Sequence, residues 1–340
     1  MALPSTLLTN LPEQIPLDQE RPFQTTRIRS PIAGPKLIVT AAVHGNETCG
    51  TFAIERLVKQ FELGELKLLK GFVTFVPVTN PKAYRLKRRA GDRNLNRRLM
   101  PTDTPVQYED HIANWLCPLL AEHDGLLDLH SFQSGDTAFA LFGPSNNTQA
   151  LEPFAQAQIE EDLITRLGCK RFVYGWLSTY AKGIERRAAE VKAGRFNAQD
   201  VDIDARYGIG TTEYMRSVGG WSLTLECSQH DDVGGREVAY QAIVNTLTHL
   251  GMLAGTPPAA AKEFEVLGLY DVFDRFDMND QFAKSWKSFD PIKQGECIGT
   301  RADGTRLVAE RDCFIVFPNM KSQPGQEWFY LAHAGGRLGR

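Results

Sequence analysis

An apolar run that stops abruptly on a polar tetrapeptide constrains this chain more than any other stretch. Leu37, Ile38, Val39, Thr40, Ala41, Ala42 and Val43 follow one another with hardly a polar break and give way at once to His44-Gly45-Asn46-Glu47. A run that short, continuous and rich in β-branched residues reads as a strand covered on both faces, as in a parallel or mixed sheet. Gly45 then permits a tight turn, and beyond Glu47 the apolar residues Ile54, Leu57, Val58 and Phe61 recur at helical spacing. Strand, turn and helix in that order make an α/β unit, whose ligands gather beyond the carboxyl ends of the strands. His44 and Glu47 stand at that place, and an imidazole and a carboxylate three residues apart can face one metal ion. The pair reads equally as a solvated loop with a glutamate at the positive end of a helix dipole.

Further strands are expected over 71–79, 125–131, 138–142, 171–174 and 221–226, and helices over 105–122, 152–167, 183–192 and 235–250. Pro118 should kink or shorten the first of these helices. The proline-rich start, residues 1–35, reads as an extended lead-in with a strand near 23–28. At 255–261 the composition shifts to a linker, and short runs then alternate with Gly and Pro turns. The expected architecture is therefore α/β: a mixed central β-sheet with helices on both faces over 1–254, then a small C-terminal β domain over 262–335. The charged stretch 180–207 is expected as an insertion in the first domain, with a lid over the cleft as the alternative.

Composition narrows the partners. A net charge of -3 across 340 residues leaves no basic field for nucleic acid. The six cysteines contain no Cys-x-x-Cys pair, which excludes a zinc ribbon and fits reduced thiols in a cytoplasmic protein. No apolar run approaches ~18 residues and no basic segment leads an apolar core at the start, so neither membrane spanning nor secretion is expected. A homo-oligomer is compatible with these features, and none of them requires one.

Three other segments bear on chemistry. Between Lys82 and Arg98 lie Arg85, Arg88, Arg89, Arg93, Arg97 and Arg98, with Asn94-Leu95-Asn96-Arg97 embedded among them. The run is either a solvated basic face or a loop of guanidinium groups for an anionic, carboxylated substrate. The strand at 125–131 ends on His130, two residues after Asp128. His130 is either a hydrogen-bonded structural histidine or a third ligand oriented by that carboxylate, giving with His44 and Glu47 the nitrogen, oxygen, nitrogen set of a catalytic zinc. The strand at 221–226 ends on Glu226, either half of a structural ion pair or a catalytic acid and base.

Taken in order, the His-x-x-Glu, the arginine, the Asn-Arg, the Asp-Leu-His and the strand-end glutamate resemble the aspartoacylase and succinylglutamate desuccinylase family, within the zinc carboxypeptidase superfamily. The likeness runs from Leu37 to Leu250, and the β tail resembles the family's C-terminal domain. It implies one zinc ion per chain held by His44, Glu47 and His130, with Glu226 handling protons. It implies Arg89 as the oxyanion arginine, with Arg88 as the other choice, and Asn96 and Arg97 on a substrate carboxylate. A weaker local match adds Arg216 to the substrate-binding set. The implied activity is zinc-dependent hydrolysis of an N-acyl amino acid or similar small carboxylated amide. A carboxypeptidase-type peptidase or an esterase would use the same site, and a non-enzymatic metal-binding protein is the remaining alternative. Three spellings depart from the family: Asn94 stands where aspartate is usual, Cys227-Ser228-Gln229-His230 replaces a Gly-Pro after the glutamate, and Ser131-Phe132-Gln133 after the third implied ligand is closer to the carboxypeptidase spelling.

Overall fold

A computed structural model describes residues 23–133, 135, 137–199 and 201–339. In chain order the first elements are β1 (Thr26–Arg29), β2 (Lys36–Ala41), α1 (Cys49–Glu62), β3 (Phe72–Val76), α2 (Pro81–Arg85), α3 (Tyr108–Ala121), β4 (Gly125–Phe132), β5 (Phe139–Phe142) and α4 (Ala157–Ile164). There follow β6 (Arg171–Tyr174), α5 (Trp176–Lys192), α6 (Thr211–Ser217), β7 (Trp221–Gln229) and α7 (Gly235–His249). Strands then succeed one another: β8 (Glu265–Asp274), β9 (Gln281–Phe282), β10 (Pro291–Ile292), β11 (Cys297–Thr300), β12 (Arg306–Val308), β13 (Cys313–Val316) and β14 (Glu327–Ala334). By contact the described chain divides into two units, one of residues 23–132, 137–172 and 209–264, the other built mainly of 173–208 and 265–339.

In the first unit the strands run β1-β3-β2-β4-β7-β5, the inner four parallel and the outer pairs antiparallel. Leu37, Ile38, Val39 and Ala41 are wholly buried, which is why β2 carries no alternation. Each of the larger three contributes about 1.5–3 kcal/mol by leaving water. Ile38 and Leu126 pack with Ile112, Leu116 and Leu120 of α3. Alternation sends Leu37 and Val39 to the other face, on the side of α1. Pro118 does not break α3: it falls in the last turn, and the helix runs on to Ala121. The lead-in strand begins at Thr26, and residues 1–22 lie outside the described part.

The second unit has its own core. Strands β8-β14-β13-β10 are successive antiparallel neighbours, and β12-β11-β9 make a separate three-stranded sheet. Trp286, Ile298, Ile315, Trp328 and Phe329 are buried together, with the Phe273 ring stacked on Phe329 at 4.9 Å. Residues 180–207, expected as an insertion in the first domain, are corrected to this unit. Within it Arg187 of α5 forks onto Asp274 of β8 at 2.9 and 2.8 Å, both side chains buried. Such a pair ties the two elements firmly, since either partner alone would be an uncompensated buried charge. Among the described residues no helix is long and apolar enough to cross a membrane.

Candidate metal centre

The end of β2 is turned by the backbone before any site residue appears. Ala42 takes φ 48°, the left-handed region, and its neighbours are pinned: Thr79 N–H donates to Ala41 O at 2.9 Å and Asn80 N–H to Ala42 O at 3.0 Å. Gly45 is required for room rather than for φ, because a Cβ there would lie 1.9 Å from the Ala83 carbonyl carbon. Glu47 N–H donates to His44 O at 3.1 Å, closing a turn, and α1 begins only at Cys49. Glu47 is thus released from the helix it was expected to open, and faces the histidines.

His130 arrives on β4, one strand over. Its Nδ1 lies 2.9 Å from Glu47 Oε2, and His44 Nδ1 lies 2.9 Å from Glu47 Oε1. One ligand atom from each of His44, Glu47 and His130 falls within 4.8 Å of the others, and all three residues are buried. His44 Nδ1 makes no hydrogen bond despite its closeness to the carboxylate. A buried polar atom without a partner needs an explanation. Two lone pairs converging on a shared cation supply one, so the donor set fits a zinc ion.

The far nitrogens are fixed differently. His44 Nε2 is 2.9 Å from Asn94 Oδ1, a neutral amide, so Nε2 carries the proton and Nδ1 keeps its lone pair. Burial, with the Arg89 guanidinium beside it, drops the His44 pKa to about 4, leaving the ring neutral. His130 Nε2 is 2.8 Å from Asp128 Oδ2, a carboxylate that also accepts from Thr40 Oγ1 at 2.6 Å and from Thr211 Oγ1. Burial disfavours charge on His130, but Asp128 and Glu47 outweigh it and hold its pKa well above the usual imidazole value. Both nitrogens of that ring therefore donate, and a cation shared with Glu47 would take the place of the Nδ1 proton.

The parallel register of β4 and β7 pairs His130 with Glu226, bringing the two residues side by side. Glu226 is buried, its Oε2 has no partner, and burial together with the Glu47 carboxylate pushes its pKa up to about 8. A carboxyl poised near neutrality can take up and release a proton there.

The arginine run sorts itself by partner. Arg89 donates to Glu47 Oε1 at 3.0 Å while its side chain stays 49% exposed, so it borders both the ligands and solvent. Arg88 instead folds onto the carbonyls of Ala90 and Gly91 at 3.0 and 2.9 Å. Arg93 is held by Asp110 at 3.0 Å and the Arg97 carbonyl at 2.6 Å. Asn96 turns its side-chain oxygen to Thr211 N at 2.9 Å, at the start of α6, leaving its amide N–H groups to offer. Arg97 is buried, with Nη1 2.8 Å from the Asn96 carbonyl. Arg216 is a correction. It is buried, and donates to Glu160 through Nε and Nη2, to Glu152 through Nη1 and to Ser222 O through Nη2. With four of its five donors committed, it braces α4 and β7 rather than receiving a substrate.

One organising residue escaped the sequence reading. Glu109, buried in the first turn of α3, accepts from Asn80 Nδ2 and Gly91 N at 2.9 Å each, Arg93 N at 3.0 Å and Asp92 N at 3.1 Å. It folds the loop that carries Arg89 and Asn94. A first-turn glutamate normally reads as exposed, and nothing local in the sequence marks this one as buried.

Residues 33–163 match the family model of the succinylglutamate desuccinylase/aspartoacylase catalytic domain. The curated proteins contain no match. Among solved structures, the chain is similar to a succinylglutamate desuccinylase/aspartoacylase from Rhodobacter sphaeroides, with 18% identity, 93% of this chain and 90% of that chain covered, and a TM-score of 0.67. It is likewise similar to the product-bound ectoine utilization protein EutE (DoeB) from Ruegeria pomeroyi, with 18% identity, coverage of 96% and 94%, and TM-score 0.67. A succinylglutamate desuccinylase from Vibrio parahaemolyticus gives 18% identity, coverage of 98% and 93%, and TM-score 0.67. At such identities these likenesses establish the fold.

Proposed function

We propose that this chain, whose residues 33–163 match the succinylglutamate desuccinylase/aspartoacylase catalytic-domain model, is a zinc-dependent deacylase of an N-acyl amino acid or a similar small carboxylated amide. One observation carries the reading: His44, Glu47 and His130 converge with an unpartnered His44 Nδ1, and Glu226, its Oε2 also unpartnered, lies in register beside them. His44, Glu47 and His130 would hold the ion, which when bound supplies Lewis acidity to an acyl carbonyl and a water. Glu226 accepts the proton of the attacking water at a carboxylate oxygen and passes it to the leaving amine. The Arg89 guanidinium, open to solvent on one side, donates to the oxygen that gains charge. Asn96, through its amide N–H groups, and the buried Arg97 hold the substrate carboxylate so that the carbonyl meets the water in line.

The test is a turnover screen of the zinc-loaded protein, with a chelated control, against amino acids carrying acetyl, succinyl and other acyl groups, esters of the same acids, and short peptides. Cleavage confined to peptides would move the reading to a peptidase. Glu226→Gln should lower turnover by about 10²–10⁴-fold with zinc stoichiometry unchanged. Full turnover in that variant would remove the mechanism.

A further inference from the structure

Beyond Glu226 the strand β7 slips. His130 faces Glu226, but Phe132 faces Gln229, so β7 carries one residue more than β4 over the same length. Bulges of this kind re-aim side chains and gather next to active sites. Here the slip delivers His230 to β4: its N–H donates to Phe132 O at 3.1 Å, and its Nδ1 lies 2.8 Å from Ser131 Oγ. Ser131 in turn gives its backbone N–H to Glu47 Oε2 at 3.2 Å. The ring is thus anchored to the residue that follows one ligand in sequence and touches another. Glu47, Arg89, Asp231 and His130 make up its charged surroundings.

The other ring nitrogen is left over. His230 Nε2 is buried and has no partner among the described residues. In the tautomer in which the Ser131 hydroxyl donates to Nδ1, the ring carries its proton on Nε2, the nitrogen with no partner in that set. A buried N–H with nothing to donate to costs stability unless something arrives to accept it. Neither the metal set nor the proton path uses this group.

We propose that His230 is a substrate-binding residue, its Nε2–H donating to a carboxylate or carbonyl oxygen of the acyl half of the substrate beside the metal centre. The proposal rests on the deacylase reading for its ligand class, so its primary test does not depend on turnover. Acetate and succinate, as mono- and dicarboxylic product acids, are titrated into the zinc-loaded full-length protein by calorimetry. His230→Ala should weaken the better acid roughly ten- to hundredfold, the worth of one hydrogen bond to a charged acceptor. His230→Gln, whose amide N–H can reach the Nε2 position, should recover most of the loss, and Ser131→Ala, which frees the ring, should fall between. Zinc stoichiometry and melting temperature should hold throughout. Where a substrate is turned over, His230→Ala should raise KM more than it lowers kcat. Equal acid affinity in wild type and His230→Ala overturns the proposal, as does loss of zinc from His230→Ala, or no binding of either acid by the wild type. Acid binding that depends on His230 in a protein with no turnover keeps this role and discards the deacylase instead.

Discussion

At the scale of single residues, the two histidines of the candidate metal set are oriented by different chemistry, and the difference is measurable. Asn94 offers His44 a neutral oxygen, whereas Asp128 offers His130 a charge. A carboxylate behind an imidazole makes it the more basic ligand, and such orienting partners shift metal affinity by about 10–100-fold. Asn94→Asp, which keeps both the bond to His44 and the one accepted from Asn96 N, should therefore tighten zinc by about tenfold in competition with a chromophoric chelator. Unchanged or weaker affinity would show that the amide's neutrality does not govern this ligand. Asn94 stood out in the sequence only as a departure from a motif. Its partner His44 lies fifty positions earlier, which no local pattern reports.

At the scale of elements, α3 organises the site from behind. Glu109 gathers four N–H groups onto one buried carboxylate, three of them from the 91–93 backbone. Glu109→Gln swaps an acceptor for a donor there and should cost about 2–3 kcal/mol, read by denaturant unfolding, and should slow turnover by displacing Arg89. Unfolding midpoints equal to wild type would exclude that role. The far end of α3 holds a pH-sensitive contact. His123 is buried with Nδ1 2.7 Å from Leu119 O and Nε2 2.7 Å from Thr74 Oγ1, an arrangement that suits the neutral ring. Burial lowers its pKa from 6.5 to about 4. The folded state thus binds fewer protons than the unfolded state between those values, so stability present above pH 6.5 is lost as pH falls toward 4. The loss should reach about 2–3 kcal/mol, and His123→Gln should flatten that part of the stability curve. A variant with the wild-type slope would assign the acid sensitivity elsewhere.

For the whole molecule, the proposed metal site, drawn from the turn after β2 and from β4, would link ion binding to folding. Zinc bound to the native state alone adds about 4 kcal/mol at a thousand times its dissociation constant, so chelation should lower the melting temperature by several degrees and added zinc should restore it. A melting temperature indifferent to both would mean that the ion is not held by the folded site. The run at 37–43, the helix at 235–250 and the strands carrying His130 and Glu226 were legible because hydrophobic period is written in neighbouring positions, although β4 runs on to Phe132 and β7 to Gln229. The sequence by itself therefore determined the α/β order and which strands carry the polar groups of the site. Tertiary structure alone decided which arginine reaches the ligands, that Arg216 is spent on Glu160 and Glu152, that 180–207 packs with the C-terminal strands, and that His230 is turned to Ser131. The reason is that a guanidinium or an imidazole takes its role from the acceptor it meets. Those acceptors are supplied by segments tens of residues away, through a register that only the folded sheet sets.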